Sequence, residues 1–145
     1  MAHHTKDKGD LAVAMVIADL AKHDILVCLP ISEHLPFDLI AVNTDYRLSK
    51  VQVKYKAQKR GFVSVNLRSS YADRNGSHVK LVDRTSFDAY AIYCPETDKV
   101  YYIRNEEIRA TARAGFTLRI NSAKNNQIQN VNFADNYLGA YRLFC

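Results

Sequence analysis

Apolar residues recur at Leu11, Ala14, Met15, Ala18 and Ala21, the spacing of a helix that buries one face. The pattern predicts a helix over Asp7 to His23, with Gly9 and Asp10 near its start and Lys22-His23 suiting its C-terminal dipole. Ile25 to Leu29 is a continuous apolar run ended by Pro30, which predicts a strand covered on both sides and central or near-central in a sheet. Phe37 to Val42 and Val51 to Tyr55 are two more strand-like runs. The polar stretch Asn43 to Arg47 between them predicts a turn and antiparallel pairing. Phe62 to Leu67 alternates cleanly and predicts a half-buried strand after the Gly61 turn. Ser69 to His78, with Asp73-Arg74-Asn75-Gly76 inside it, reads as a mobile polar loop and, in a DNA-binding chain, as a groove probe. Ala89 to Cys94 and Lys99 to Arg104 flank the turn-forming Pro95-Glu96-Thr97-Asp98, a second hairpin. Asn105, Glu106 and Glu107 begin a short helix through Arg109 to Ala114, and Gly115 to Ile120 forms a last strand or an extended arm.

Against this apolar background three polar positions stand out. Asp38 follows Pro36-Phe37 at the head of one strand, and Gln52 and Lys54 lie within the next. Such groups are costly in a strand unless they face each other or a ligand. Antiparallel pairing puts them near one end of a small sheet. A carboxylate, an amide oxygen and an ammonium converging there are the parts that hold a divalent metal against a phosphodiester: the oxygens bind the hard cation and the lysine stabilises developing charge or positions the nucleophile.

The order of helix, strand, Asp-bearing strand and Gln-x-Lys strand resembles the PD-(D/E)XK nuclease core. Lys8-Gly9-Asp10 opening a helix, Leu29-Pro30 closing the next strand, and the runs Phe87 to Tyr93 and Lys99 to Ile103 extend the resemblance over roughly residues 8 to 108. Within that superfamily the chain is most similar to the homing endonucleases of bacterial group I introns. The resemblance implies an α/β, restriction-endonuclease-like fold with a central mixed sheet flanked by helices. It also implies Mg²⁺ or another divalent cation as cofactor. Asp38, Gln52 and Lys54 fall at the catalytic positions, and Asp38, the Gln52 side chain and the Val53 carbonyl at the metal positions. Two departures bear on activity. The first helix of such enzymes often carries a glutamate three residues after Lys-Gly-Asp, where this chain has Val13. The second acidic position is a neutral amide, Gln52, which leaves Asp38 as the one carboxylate assigned to the site. Glu33, in the loop before Asp38, is the candidate replacement if that loop folds back.

Charge gives the picture a partner. The 145 residues carry a formal net charge of +5, a modest pointer to polyanions. Lys50, Lys54, Lys56, Lys59 and Arg60 cluster on and after the Gln-x-Lys strand. Arg68, Arg74, Lys80 and Arg84 follow, with Tyr55 and Tyr71 interleaved. The expected DNA surface is Lys56, Lys59, Arg60, Arg68, Arg74, Lys80 and Arg84, the competing reading being an edge strand and loop protected by lysines. Asn121, Asn125, Asn126, Gln127 and Gln129 offer amides that can read adenine edges, or form an ordinary polar surface.

The length suits a single domain over residues 1–145, with 115–145 an extension for docking, DNA contact or oligomerisation. Val131, Phe133, Tyr137, Leu138, Tyr141 and Phe144 are too apolar for a free tail. No apolar run is long enough to span a membrane, and the polar start from Met1 to Asp10 carries no export signal, so a cytoplasmic protein is expected. Cys28, Cys94 and Cys145 lack Cys-x-x-Cys spacing, and the first two fall in apolar runs that predict buried thiols. His4, His23, His34 and His78 do not fall at metal-ligand spacings. Nucleotide-binding loops and esterase elbows are missing, so no nucleotide cofactor is expected. The expected function is sequence-specific cleavage of double-stranded DNA by a homing endonuclease. One site per chain then requires a homo-oligomer, a dimer or tetramer. The alternatives are a Holliday-junction resolvase or repair nuclease, and a catalytically silent DNA-binding module of the same fold.

Overall fold

The computed structural model describes residues 4–108, 112, 114–121 and 131–145, with the side chain of Ser69 excepted. Helix α1 (His4–Lys22) is followed by β1 (Leu26–Cys28), β2 (Leu39–Val42), β3 (Leu48–Tyr55), β4 (Phe62–Asn66), β5 (Arg68–Asp73), β6 (Gly76–Leu81), β7 (Ala89–Cys94), β8 (Lys99–Arg104) and β9 (Gly115–Arg119). Short 3-10 turns lie at Asn105–Glu107, Ala134–Tyr137 and Ala140–Leu143. Five strands form a mixed sheet in the order β1-β2-β3-β7-β8, with β3 and β7 parallel and the other neighbours antiparallel. This is the expected α/β class, and both anticipated hairpins are present. Parallel strands need a crossover. Between β3 and β7 it consists of β4 and the β5–β6 hairpin among the described residues.

Alternation sorts the sheet into two cores. Ala12, Val16 and Leu20 of α1 pack against Leu39, Ala41, Val51, Ala89, Ala91 and Tyr102. The small alanines of β7 allow the helix to approach, and the Tyr102 hydroxyl donates to Asp19 at 2.6 Å, joining helix to sheet. On the opposite face Tyr90, Ile92, Tyr101 and Ile103 pack against Val63, Val65 and Leu67 of the β4 segment and Leu118 of β9. The C-terminal segment closes both layers: Ala140 and Leu143 enter the first core, Ala134 the second, and Leu138 bridges to Tyr101.

Three expectations are corrected. The Ile25–Leu29 run yields β1, which lies at the sheet edge and not its centre. Leu26 is 71% exposed, and Cys28 is exposed rather than buried, because α1 and the β4–β9 pair both cover the β3-β7-β8 side. Cys94 is buried, as its run predicted. Ser69–His78 is not a loop but most of the β5–β6 hairpin. Of the two readings left open for Gly115 to Ile120, the structure has the strand, with Gly115–Arg119 paired with β4. The predicted helix after Asn105 is described only as the Asn105–Glu107 turn; Arg109 to Thr111 and Arg113 lie outside the described residues, as do Asn125, Asn126, Gln127 and Gln129. No described helix is long and apolar enough to cross a membrane.

Candidate active site

The site is built on a fork between β2 and β3. The Lys56 N–H donates to Tyr93, and the Lys50 carbonyl accepts from Asp88, so the even-numbered residues of β3 turn their backbone groups toward β7. Val51 and Val53 therefore face β2. Pairing with β2 ends at Leu39 opposite Val51, with the Asp38 N–H donating to the Val51 carbonyl at 2.9 Å. Beyond this rung β2 has turned away. The next donor on β3, the Val53 N–H, goes to the Asp38 carboxylate at 2.7 Å. The exposed Asp38 carboxylate thus replaces a strand where the sheet opens, and the Val53 carbonyl points along the same edge.

Val51, Val53 and Tyr55 belong to the α1 side of the sheet, so Gln52 and Lys54 project from the other face. Gln52 Nε2 donates to the Pro36 carbonyl at 3.2 Å, anchoring the chain just before Asp38. Its Oε1 is buried and has no partner among the described residues. Lys54 is half-buried, and desolvation holds its pKa below the ordinary lysine value; the Asp38 charge opposes this shift and Lys56 adds to it. Burial disfavours the ammonium and the carboxylate restores part of what burial removes.

A cleft of about 430 Å³ opens beside this edge, lined by Thr5, Lys8 and Gly9 of α1 and by Val53, Lys54, Tyr55 and Ala57. Lys8 extends over the Tyr55 ring, its Nζ 5.7 Å from the centroid. Lys8 was legible only as part of a helix-opening motif; its place beside Lys54 depends on the helix docking. Val13 lies four residues after Gly9 on α1 and is half-buried. Glu33 and His34 sit exposed in the loop before Asp38, and no group of three or more His, Cys, Asp or Glu residues converges among the described residues.

The donor set fits a hard divalent cation: one carboxylate, a buried amide oxygen lacking a partner, and a main-chain carbonyl on the same edge. With a single protein carboxylate, the remaining ligands must come from water or phosphate oxygens.

The basic residues fall into three places. Lys56, Lys59 and Arg60 continue from Lys54 into the turn before β4. Arg68, Arg74 and Lys80 lie on the β5–β6 hairpin. Arg84 is at the other end of β3, where it lines a pocket with Arg47, Asp88 and Arg104 and its carbonyl accepts from Asn105. The fold does not bring it to the fork.

A helix-backed mixed sheet with an Asp-bearing strand forked from a Gln-x-Lys strand defines a nuclease core. The family model for PD-(D/E)XK endonucleases matches residues 3–139, and the chain belongs to that family. Its structure is similar to that of a bacterial homing endonuclease, I-Ssp6803I, with a TM-score of 0.77 and 24% identity over 96% of this chain and 91% of that one. At that identity the likeness establishes the fold. No curated protein sequence matches the chain.

Proposed function

We propose that the chain is a Mg²⁺-dependent, sequence-specific endonuclease of double-stranded DNA with a homing role, cutting at the β2–β3 fork. The observation that carries this reading is the Asp38 carboxylate held on the Val53 N–H, with the buried Gln52 Oε1, which has no partner among the described residues, and the desolvated Lys54 on either side of Val53 in the same strand. Asp38, Gln52 and the Val53 carbonyl would hold the cation. When bound, it supplies positive charge against the scissile phosphate. The Val53 N–H fixes one oxygen of the Asp38 carboxylate, leaving the other as the candidate ligand. The Pro36 carbonyl orients the Gln52 amide, directing its oxygen away from the loop. Lys54 positions the attacking water. Its lowered pKa makes the neutral amine, which can accept the water's proton, more accessible than in a solvated lysine. Lys8, across the cleft, contributes charge to the approaching phosphate.

The homing role extends the likeness to the bacterial homing endonuclease, and a gene context within a group I intron rests on the sequence resemblance alone. One fork per chain implies a dimer or tetramer for cutting both strands. A second reading, a silent DNA-binding module, is favoured by Val13 in place of the usual helix glutamate. A metal series on supercoiled plasmid separates the two. The proposal expects nicking with Mg²⁺ or Mn²⁺, none with EDTA, and binding without cleavage in Ca²⁺. Binding with no nicking in any metal would establish the silent module.

A further inference from the structure

The β5–β6 hairpin pairs Arg68 with Leu81, Tyr71 with His78 and Asp73 with Gly76, and it makes no substantial contact with any other described element. An isolated hairpin of this size is marginal without a packing partner. This one is closed by a well-formed turn. The Asp73 carboxylate accepts the Asn75 N–H at 2.7 Å, and Gly76 takes a φ of 119° that other residues rarely adopt. Its base is fixed where the Val82 N–H donates to the Leu67 carbonyl at 2.8 Å, both side chains entering the second core.

That base determines which way the hairpin faces. Leu67 and Val82 point toward the sheet face that carries Gln52 and Lys54. Alternation outward from them puts Lys80, then Tyr71 and His78, then Asp73, on the same inward side. Tyr71 is 53% exposed and stacks on His78 with ring centroids 5.0 Å apart, and His78 Nε2 is hydrogen bonded to Asp73 at 3.0 Å. The outward side carries Arg68 and Leu81, Ser70 and Val79, and Ala72 and Ser77, so the ribbon's one stacked ring pair, Tyr71 on His78, lies on the inward side. Six-residue strands span roughly 20 Å, and a two-stranded ribbon fits a major groove roughly 12 Å wide.

We propose that the β5–β6 ribbon enters the major groove of the DNA target and reads base edges with the Tyr71 hydroxyl and the His78 ring. Arg74 at the tip and Lys80 hold the flanking phosphates. The proposal rests on the reading of this chain as a DNA endonuclease and assigns the element that gives it sequence preference.

The test begins with the full chain and a random-sequence duplex library in Ca²⁺, from which a preferred duplex is selected. Dimethyl sulfate footprinting then reports guanine N7 in the major groove and adenine N3 in the minor groove. The proposal expects guanine N7 protection that is lost in the Tyr71→Ala/His78→Ala variant. The affinity ratio of preferred to unrelated duplex should fall roughly tenfold. The ribbon lies outside both cores, so the variant's melting temperature should match wild type. Tyr71→Phe, which keeps the stack, should lower the ratio by itself. Protection confined to adenine N3, or an unchanged ratio in a chain that still binds and nicks DNA, would overturn the ribbon assignment alone. A wild-type chain that binds no duplex would overturn it together with the nuclease reading.

Discussion

Lys54 is held where its charge is costly, and that cost has a pH signature. Its folded pKa lies below the ordinary value near 10.5, chiefly through desolvation. Below both values the lysine is charged in either state and the folded chain bears the desolvation cost. As pH rises through the lowered folded value, the native state sheds the proton while the unfolded chain still holds it. Stability contributed at this site therefore rises with pH up to about 10.5. Lys54→Met lacks this rise, so thermal melts at stepped alkaline pH should show the stability difference moving in favour of wild type. A difference that stays flat would mean that Lys54 is solvated. Residue identity also accounts for what could and could not be read at the site. Phe37-Asp38 and Phe87-Asp88 are near repeats, each with its phenylalanine in the second core. Asp38 meets the fork, whereas the Asp88 carboxylate accepts the Lys50 N–H at 2.8 Å and ties β3 to β7 at the other end. The distinction is one of strand pairing, which local sequence does not contain.

The helix and the hairpins were legible because their periodicities are strong and their turns carry the usual residues. β1 was misread because an apolar run fits a buried central strand and an exposed edge equally well; coverage is decided by elements distant in sequence. The β5–β6 hairpin was read as a loop because an exposed ribbon has no buried face to impose alternation. The end of α1 shows a local rule met by an unusual residue. The Asp24 N–H donates to Ala21 and the Ile25 N–H to Leu20, the paired bonds of a Schellman cap, with Asp24 at a φ of 58° where glycine is usual. Asp24 also puts a negative charge at the negative end of the helix dipole. Asp24→Gly should therefore stabilise the protein by roughly 1 kcal/mol in urea melts. A loss of stability would show that the Asp24 side chain has a structural role at this cap.

Across the whole molecule the excess positive charge is divided among separate surfaces. The Lys56-Lys59-Arg60 turn continues from Lys54, whereas Arg84 sits at the far end of β3 beside Asp88 and Arg104. Sequence proximity grouped them, and the crossover between β3 and β7 separates them. If the turn contacts phosphates, replacing Lys56, Lys59 and Arg60 together with alanine should weaken binding to all duplexes alike. It should also reduce the slope of log affinity against log salt by roughly 2 to 3. Loss of preference for one sequence at an unchanged slope would assign base reading to the turn. The central claim is that the β2–β3 fork is the cutting site, and Asp38→Ala tests it most directly, because that carboxylate fills the fork and, in the proposed mechanism, would anchor the cation. Measured on duplex DNA in Mg²⁺, the account predicts nicking reduced at least roughly a thousandfold with DNA affinity nearly unchanged. Wild-type nicking by a folded Asp38→Ala variant would contradict it.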